Sequence, residues 1–127
     1  MITLPAAKPL EWMGNTRRVV QAFPKPVRQV VGQALYAAQT GEKHVDAKPL
    51  KGFGGAGVLE VIADHDGDTY RAVYTVKFRG VVYTLHAFQK KSKKGIKTPQ
   101  KELNLIKQRL QDAEHHYREH YGKDKNA

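Results

Sequence analysis

The chain has 127 residues, 40% of them apolar and 9% aromatic, enough for one domain with a modest core and too much for wholesale disorder. It has no cysteine, which excludes a disulfide framework, a thiolate metal site and a thiol nucleophile. Its 22 Lys+Arg against 12 Asp+Glu give a net charge of +10, and no apolar run approaches the roughly 20 residues that span a bilayer.

In chain order, Met1-Ile2-Thr3-Leu4-Pro5 lacks the basic region and apolar stretch of a secretory signal, so the expected location is the cytoplasm. Leu10-Glu11-Trp12 is a candidate edge strand. Asn15 or Thr16 caps a short helix through Phe23, which Pro24 stops. A second helix starts at Pro26, where Val27, Val30, Val31, Ala34, Leu35 and Ala38 form one buried stripe, and Gly41 ends it. The two helices, joined through Pro24-Lys25-Pro26, read as a helical hairpin.

Residues 42–57 are polar and glycine-rich. Lys51-Gly52-Phe53-Gly54-Gly55-Ala56-Gly57 lacks the Gly-Lys-Ser/Thr ending of a phosphate-binding loop and no helix follows it, so it is read as an entry into the sheet. Three strands follow: Val58–Ala63, interrupted by Glu60; Tyr70–Lys77; and Val81–Phe88. Asp66-Gly67 and Arg79-Gly80 mark the turns between them. Strict alternation places Arg71 with Thr69, Val73 and Thr75. It also places Val81, Tyr83, Leu85 and Ala87 opposite Val82, Thr84, His86 and Phe88.

Thr98-Pro99 is the pattern of an N-cap followed by proline in the first turn. Leu103, Ile106, Leu110, Ala113, Tyr117 and Tyr121 then trace the buried stripe of a long helix ending at Gly122. The expected architecture is α+β in a single domain, 1–127, with residues 123–127 as a frayed tail: helical hairpin, twisted antiparallel meander with a possible N-terminal edge strand, and long C-terminal helix.

The charge has an address. Residues 60–68 carry Glu60, Asp64, Asp66 and Asp68 and no base; residues 69–101 carry nine basic groups and no acid; residues 102–127 are neutral in sum. The basic stretch is densest at Lys90, Lys91, Lys93, Lys94 and Lys97. An acid-free run across two strands concentrates its field on one surface and points to a polyanion.

Turn propensity accounts for the acids at 60–68 without a metal or two-carboxylate site. His115, His116 and His120 read as a polar helix face. His86 differs, because it precedes Gln89-Lys90-Lys91 and lies on the strand beside the one that carries Arg71. An Arg, Lys and His cluster suits RNA cleavage. A 2′-hydroxyl attacks the adjacent phosphorus, a base takes its proton, and cations stabilise the charge on the phosphoryl oxygens and on the leaving 5′-oxygen, with no metal or cofactor required. A buried sheet histidine with surface lysines is the competing reading.

Several segments together resemble the RelE/HigB-type toxins of bacterial toxin–antitoxin systems, in the phage-derived HigB-like branch. They are Phe23-Pro24, Lys48-Pro49-Leu50-Lys51-Gly52, Val58-Leu59-Glu60-Val61, Tyr70-Arg71-Ala72-Val73-Tyr74, Tyr83 through Ser92, and Lys97-Thr98-Pro99 with the helix after it. The resemblance covers roughly residues 10–115. It implies a RelE-like fold, ribosome-dependent cleavage of mRNA, and neutralisation by a helix-turn-helix antitoxin of the HigA kind. It matches Arg71 to a catalytic basic residue on the central strand, Lys91 (with Lys90 as the close alternative) to a second one past the next strand, and Lys48 and Lys51 to an RNA- or ribosome-binding loop. The relatives' catalytic Tyr or His near the C-terminus has no counterpart, since a long helix stands there. His86 substitutes as the acid–base group, with Tyr83 or a lysine as alternative.

The resulting expectation is an endoribonuclease toxin with Arg71, Lys91, Lys90 and His86 in catalysis and Lys48, Lys51, Tyr83, Lys93, Lys94 and Lys97 on the RNA. The alternative is a non-catalytic RNA- or ribosome-binding module that uses the same surface.

Overall fold

The computed structural model describes residues 6–54, 57–90 and 97–122. Lys91, Lys93, Lys94 and the tail 123–127 lie outside them.

The described elements run β1 (Leu10–Trp12), α1 (Thr16–Gln21), α2 (Lys25–Gln39), β2 (Ala47–Pro49), β3 (Val58–His65), β4 (Asp68–Thr75), β5 (Val82–Lys90) and α3 (Gln100–His120). The strands form one five-stranded sheet in the order β1-β5-β4-β3-β2. The α+β architecture, the helical hairpin, the meander and the long last helix stand as the sequence implies.

The hairpin turn between β3 and β4 follows from two residues. Asp66 (φ 49°) and Gly67 (φ 84°) both adopt left-handed backbone, the conformation that matches a two-residue turn to the twist of paired strands. Proline in the first turn of α2 and Gly41 (φ 84°) just beyond it mark that helix's ends.

The sheet has a core on each face. On one, Val27, Val31, Ala34, Leu35 and Ala38 of α2 pack on Val61, Tyr70, Ala72, Tyr74, Val82 and Ala87. On the other, Ile106, Ala113 and Tyr117 of α3 pack on Val58, Val73, Tyr83 and Leu85. A sheet covered on both sides explains why β4 and β5 are buried along most of their length instead of alternating with solvent.

Four expectations are corrected. β1 pairs with β5 in parallel, Leu10 opposite Val82, so the sheet is mixed. No hairpin links these two strands, so nothing in the connection requires them to run antiparallel. Residues 42–57 contain a strand: β2 pairs antiparallel with β3, setting Lys48 opposite Glu60. It is a three-residue edge strand containing Pro49, where a missing N–H is tolerated. Thr98 caps no helix; Pro99 holds the N-cap position of α3, with no side-chain cap bond, and the Thr98 hydroxyl turns to the sheet instead.

The fourth correction decides where the chemistry lies. Val73 pairs with His86, but Tyr74 pairs with Thr84, leaving Leu85 as an extra residue in β5. This β-bulge resets the alternation. Tyr83 and Leu85 face α3, and so do His86 and Phe88, while Ala87 passes to the α2 side. Strict alternation would have put His86 on the α2 face.

Candidate functional site

On the α3 face, the register sets Glu60 opposite Val73, and Arg71 opposite Ile62 on one side and Phe88 on the other. Arg71 and Glu60 are therefore diagonal neighbours on one surface, and both are buried (2% and 3% exposed). The Arg71 guanidinium donates to Glu60 Oε2 at 3.3 Å and to Thr98 Oγ1 at 3.1 Å, and the Thr98 hydroxyl donates to the same Glu60 oxygen at 2.9 Å. A buried ion pair survives desolvation only with such supporting bonds. Among the described residues, nothing pairs with the buried Arg71 Nε.

Beside this triad lies a cavity of about 400 Å³. Pro49, Leu50 and Leu103 give it apolar walls, Glu60 and Thr98 give it a polar inner end, and Lys48, Lys51 and Lys97 are exposed at its rim. Three of the expected RNA-binding lysines thus converge although they come from β2, the loop after it and the approach to α3. Lys90, at the end of β5, donates from Nζ to the Lys97 carbonyl at 3.2 Å, which ties it to the same edge. The sequence places Glu60 in an acidic run and as an interruption of an apolar strand, and does not single it out as a site residue. The signal that marks it is that interruption: a carboxylate in an otherwise apolar strand requires a buried cation, and Arg71 is the one β4 supplies.

His86 occupies a second polar cluster on the same face, under α3. Its Nε2 is 2.8 Å from Glu102 Oε1, and its Nδ1 is 3.1 Å from an Arg109 guanidinium nitrogen. Arg109 only donates, so Nδ1 accepts, the ring proton sits on Nε2, and that N–H donates to Glu102. Arg109 also donates to the Leu85 carbonyl at the bulge and to Asn15 Oδ1. Burial pushes the His86 pKa below its usual value, and the bond to Glu102 opposes that shift. With both nitrogens engaged and 7% exposure, His86 fastens α3 to the sheet and offers no free nitrogen to a ligand. Glu102 and Arg109, which the helical pattern of α3 does not single out, complete this cluster.

Tyr83 is corrected from an RNA contact to a core residue. It is fully buried, lies edge-on to Phe78, and its hydroxyl is 2.7 Å from His116 Nδ1. Burial raises its pKa well above the ordinary phenol value, with Glu11 adding to the effect. Among the described residues no group of three His, Asp or Glu side chains could hold a metal ion, and no helix is long and apolar enough to cross a membrane.

Fold and site together define a small basic α+β protein that presents a lysine-rimmed cavity over a buried carboxylate–guanidinium pair. The chain belongs to the phage-derived Gp49-like protein family (DUF891), whose profile matches residues 18–111. Two solved structures are similar to it. One is a mutant of the Escherichia coli toxin RelE in the free state, with 15% identity and a TM-score of 0.47, covering 65% of this chain and 82% of that one. The other is the RelBE2 toxin–antitoxin complex from Mycobacterium tuberculosis, with 18% identity and a TM-score of 0.44, covering 68% and 95%. Comparison with curated proteins finds no match.

Proposed function

We propose that this protein is the toxin of a type II toxin–antitoxin system, an endoribonuclease of the RelE kind that cuts mRNA on the ribosome and is neutralised by a helix-turn-helix antitoxin. The observation that carries the reading is the convergence of Lys48, Lys51 and Lys97 on one cavity with a polar inner end. Clustered lysines at the mouth of a cleft neutralise phosphates and draw a polyanion to it.

In this reading a phosphodiester lies across the rim. The 2′-oxygen attacks phosphorus as its proton leaves, the bond to the 5′-oxygen breaks, and that oxygen takes up a proton. The products are a 2′,3′-cyclic phosphate and a 5′-hydroxyl. Lys48, Lys51, Lys97 and Lys90, with Lys91, stabilise the extra negative charge of the pentacoordinate phosphorus. Lys93 and Lys94 hold the flanking backbone. Arg71 acts from behind: by pairing with Glu60 it keeps a carboxylate next to the phosphate from repelling it. Because His86 and Tyr83 are enclosed under α3, proton transfer falls to a lysine of the 90–97 segment. That enclosure is also what favours the second reading, an RNA- or ribosome-binding module without cleavage.

Expression in bacteria separates the two. A nuclease toxin arrests growth and leaves messages truncated with 2′,3′-cyclic phosphate ends, and co-expression of a cognate antitoxin restores growth. Intact messages together with salt-dependent ribosome binding would establish the non-catalytic reading.

A further inference from the structure

The cavity is larger than a phosphate needs, and its polar and apolar parts are separated. The cations stand at the rim, Pro49, Leu50 and Leu103 form the walls, and at the inner end Glu60 uses a single oxygen for its internal bonds. Oε2 accepts from both Arg71 and Thr98, whereas Oε1 takes part in neither bond. A volume of about 400 Å³ falls within the range of small-molecule sites. Apolar walls, an acceptor at the end that is unused among the described residues, and cations at the mouth are the complement of a nucleotide inserted base-first, with its phosphates left among the lysines. Proteins that read single-stranded RNA engage unstacked bases in this way, by apolar contact with the ring and hydrogen bonds to its edge.

The spare acceptor selects the base. Guanine presents two adjacent donors, N1–H and the N2 amino group, to one oxygen. Adenine and cytosine present a donor beside an acceptor, and uracil presents one donor between two carbonyl oxygens that a carboxylate repels. We propose that the pocket takes one unstacked guanine of a single-stranded RNA, with Glu60 Oε1 as the group that specifies it and Lys48, Lys51 and Lys97 on the phosphates either side. This rests on the reading of the cavity as an RNA site and adds which base that site chooses.

The test measures binding of the purified full-length protein to fluorescent RNA hexamers of uridine with one central G, A, C or U, and to free guanosine monophosphate. The G hexamer is expected to bind about tenfold tighter than the others, a modest value for one paired base edge, and guanosine monophosphate far more weakly than the hexamer. Glu60→Gln keeps an oxygen for Arg71 and Thr98 but turns an amide N–H₂ into the pocket. The preference for G should then vanish and the U and C hexamers should gain. Leu103→Phe, which narrows the cavity without altering any charge, should lower the G hexamer to the level of the others, and it decides the matter if Glu60→Gln does not fold.

Equal affinity for all four hexamers, no binding of any, or an unchanged G preference in folded Glu60→Gln would overturn the proposal. Guanosine monophosphate binding as tightly as the hexamer would overturn it in favour of a free nucleotide. Growth arrest with no base preference removes this inference and leaves the toxin reading standing; base preference without arrest does the reverse.

Discussion

Two polar clusters lie on one face of one sheet, and they differ in what they leave unused. The Glu60–Arg71–Thr98 cluster buries a carboxylate against a guanidinium, with a hydroxyl closing the set, whereas the His86–Glu102–Arg109 cluster buries an imidazole between a partly exposed carboxylate and a guanidinium. In the second, both ring nitrogens are occupied and α3 covers the group, so its bonds serve the fold. In the first, one carboxylate oxygen stays outside the internal bonds and the cluster opens on a lysine-rimmed cavity. Residue type does not separate an interior fastening from a binding site; unused hydrogen-bonding capacity next to an opening does.

The strongest way to break this comparison is to remove Arg71. Arg71→Ala strands a buried carboxylate and should cost about 3–5 kcal/mol, measured by chemical denaturation. Replacing the pair together, Glu60→Leu with Arg71→Met, should recover most of that stability, because well-packed apolar residues often match a buried ion pair. The double variant should nevertheless lose the preference for guanine-containing RNA, because the Glu60 carboxylate that reads the base is gone. A double variant as unstable as Arg71→Ala would mean the pair is not the source of the loss.

Next comes His86. Its replacement by glutamine should cost roughly 1–3 kcal/mol by breaking the buried ring's bonds to the partly exposed Glu102 and Arg109 and should leave RNA affinity unchanged once the protein is folded. The same residue sets a pH trend. A histidine whose folded pKa is depressed contributes stability that is fully present above the unfolded value near 6.5 and is lost as pH falls through the lower folded value. Melting temperature should therefore drop on acidification from pH 7 to 5, and drop less in His86→Gln. Equal slopes in the two proteins would remove His86 from the account.

The opposite signature belongs to the rim. Lys48→Ala, Lys51→Ala and Lys97→Ala combined should leave the melting temperature within a degree or two, since all three side chains are exposed. The slope of log affinity for single-stranded RNA against log salt should flatten by about 2, at roughly 0.7 for each phosphate no longer neutralised. The smallest effect sets the baseline. Glu114→Gln breaks the exposed pair with Arg118 one helical turn on and should cost no more than about 0.5 kcal/mol.

Much of this was legible in the sequence because it depends on local chemistry. Asp66-Gly67 specifies its turn whatever surrounds it, the stripes of α2 and α3 follow from helical period, and the acid-free run after Asp68 places the cations near the last two strands. Arg71 is conspicuous for a like reason: a guanidinium amid alternating apolar residues needs a partner wherever the strand packs. Lys97 could be proposed from the acid-free run that holds it, and Lys48 and Lys51 from the family resemblance.

Only the tertiary structure decided which of these meet. Alternation assumes an unbroken ladder, and whether a ladder is broken depends on the partner strand. The extra residue at Leu85 therefore moved His86 to the face of Arg71 and beneath α3. β2 is too short and too polar to register by pattern, yet its pairing is what sets Lys48 across from Glu60. Thr98 has the sequence of a cap and the position of a third partner in the buried ion pair, because a hydroxyl goes where the costlier unsatisfied group lies. Local propensity and period determined the elements and the charges; long-range register and packing determined which charges were sealed in and which were left facing a ligand.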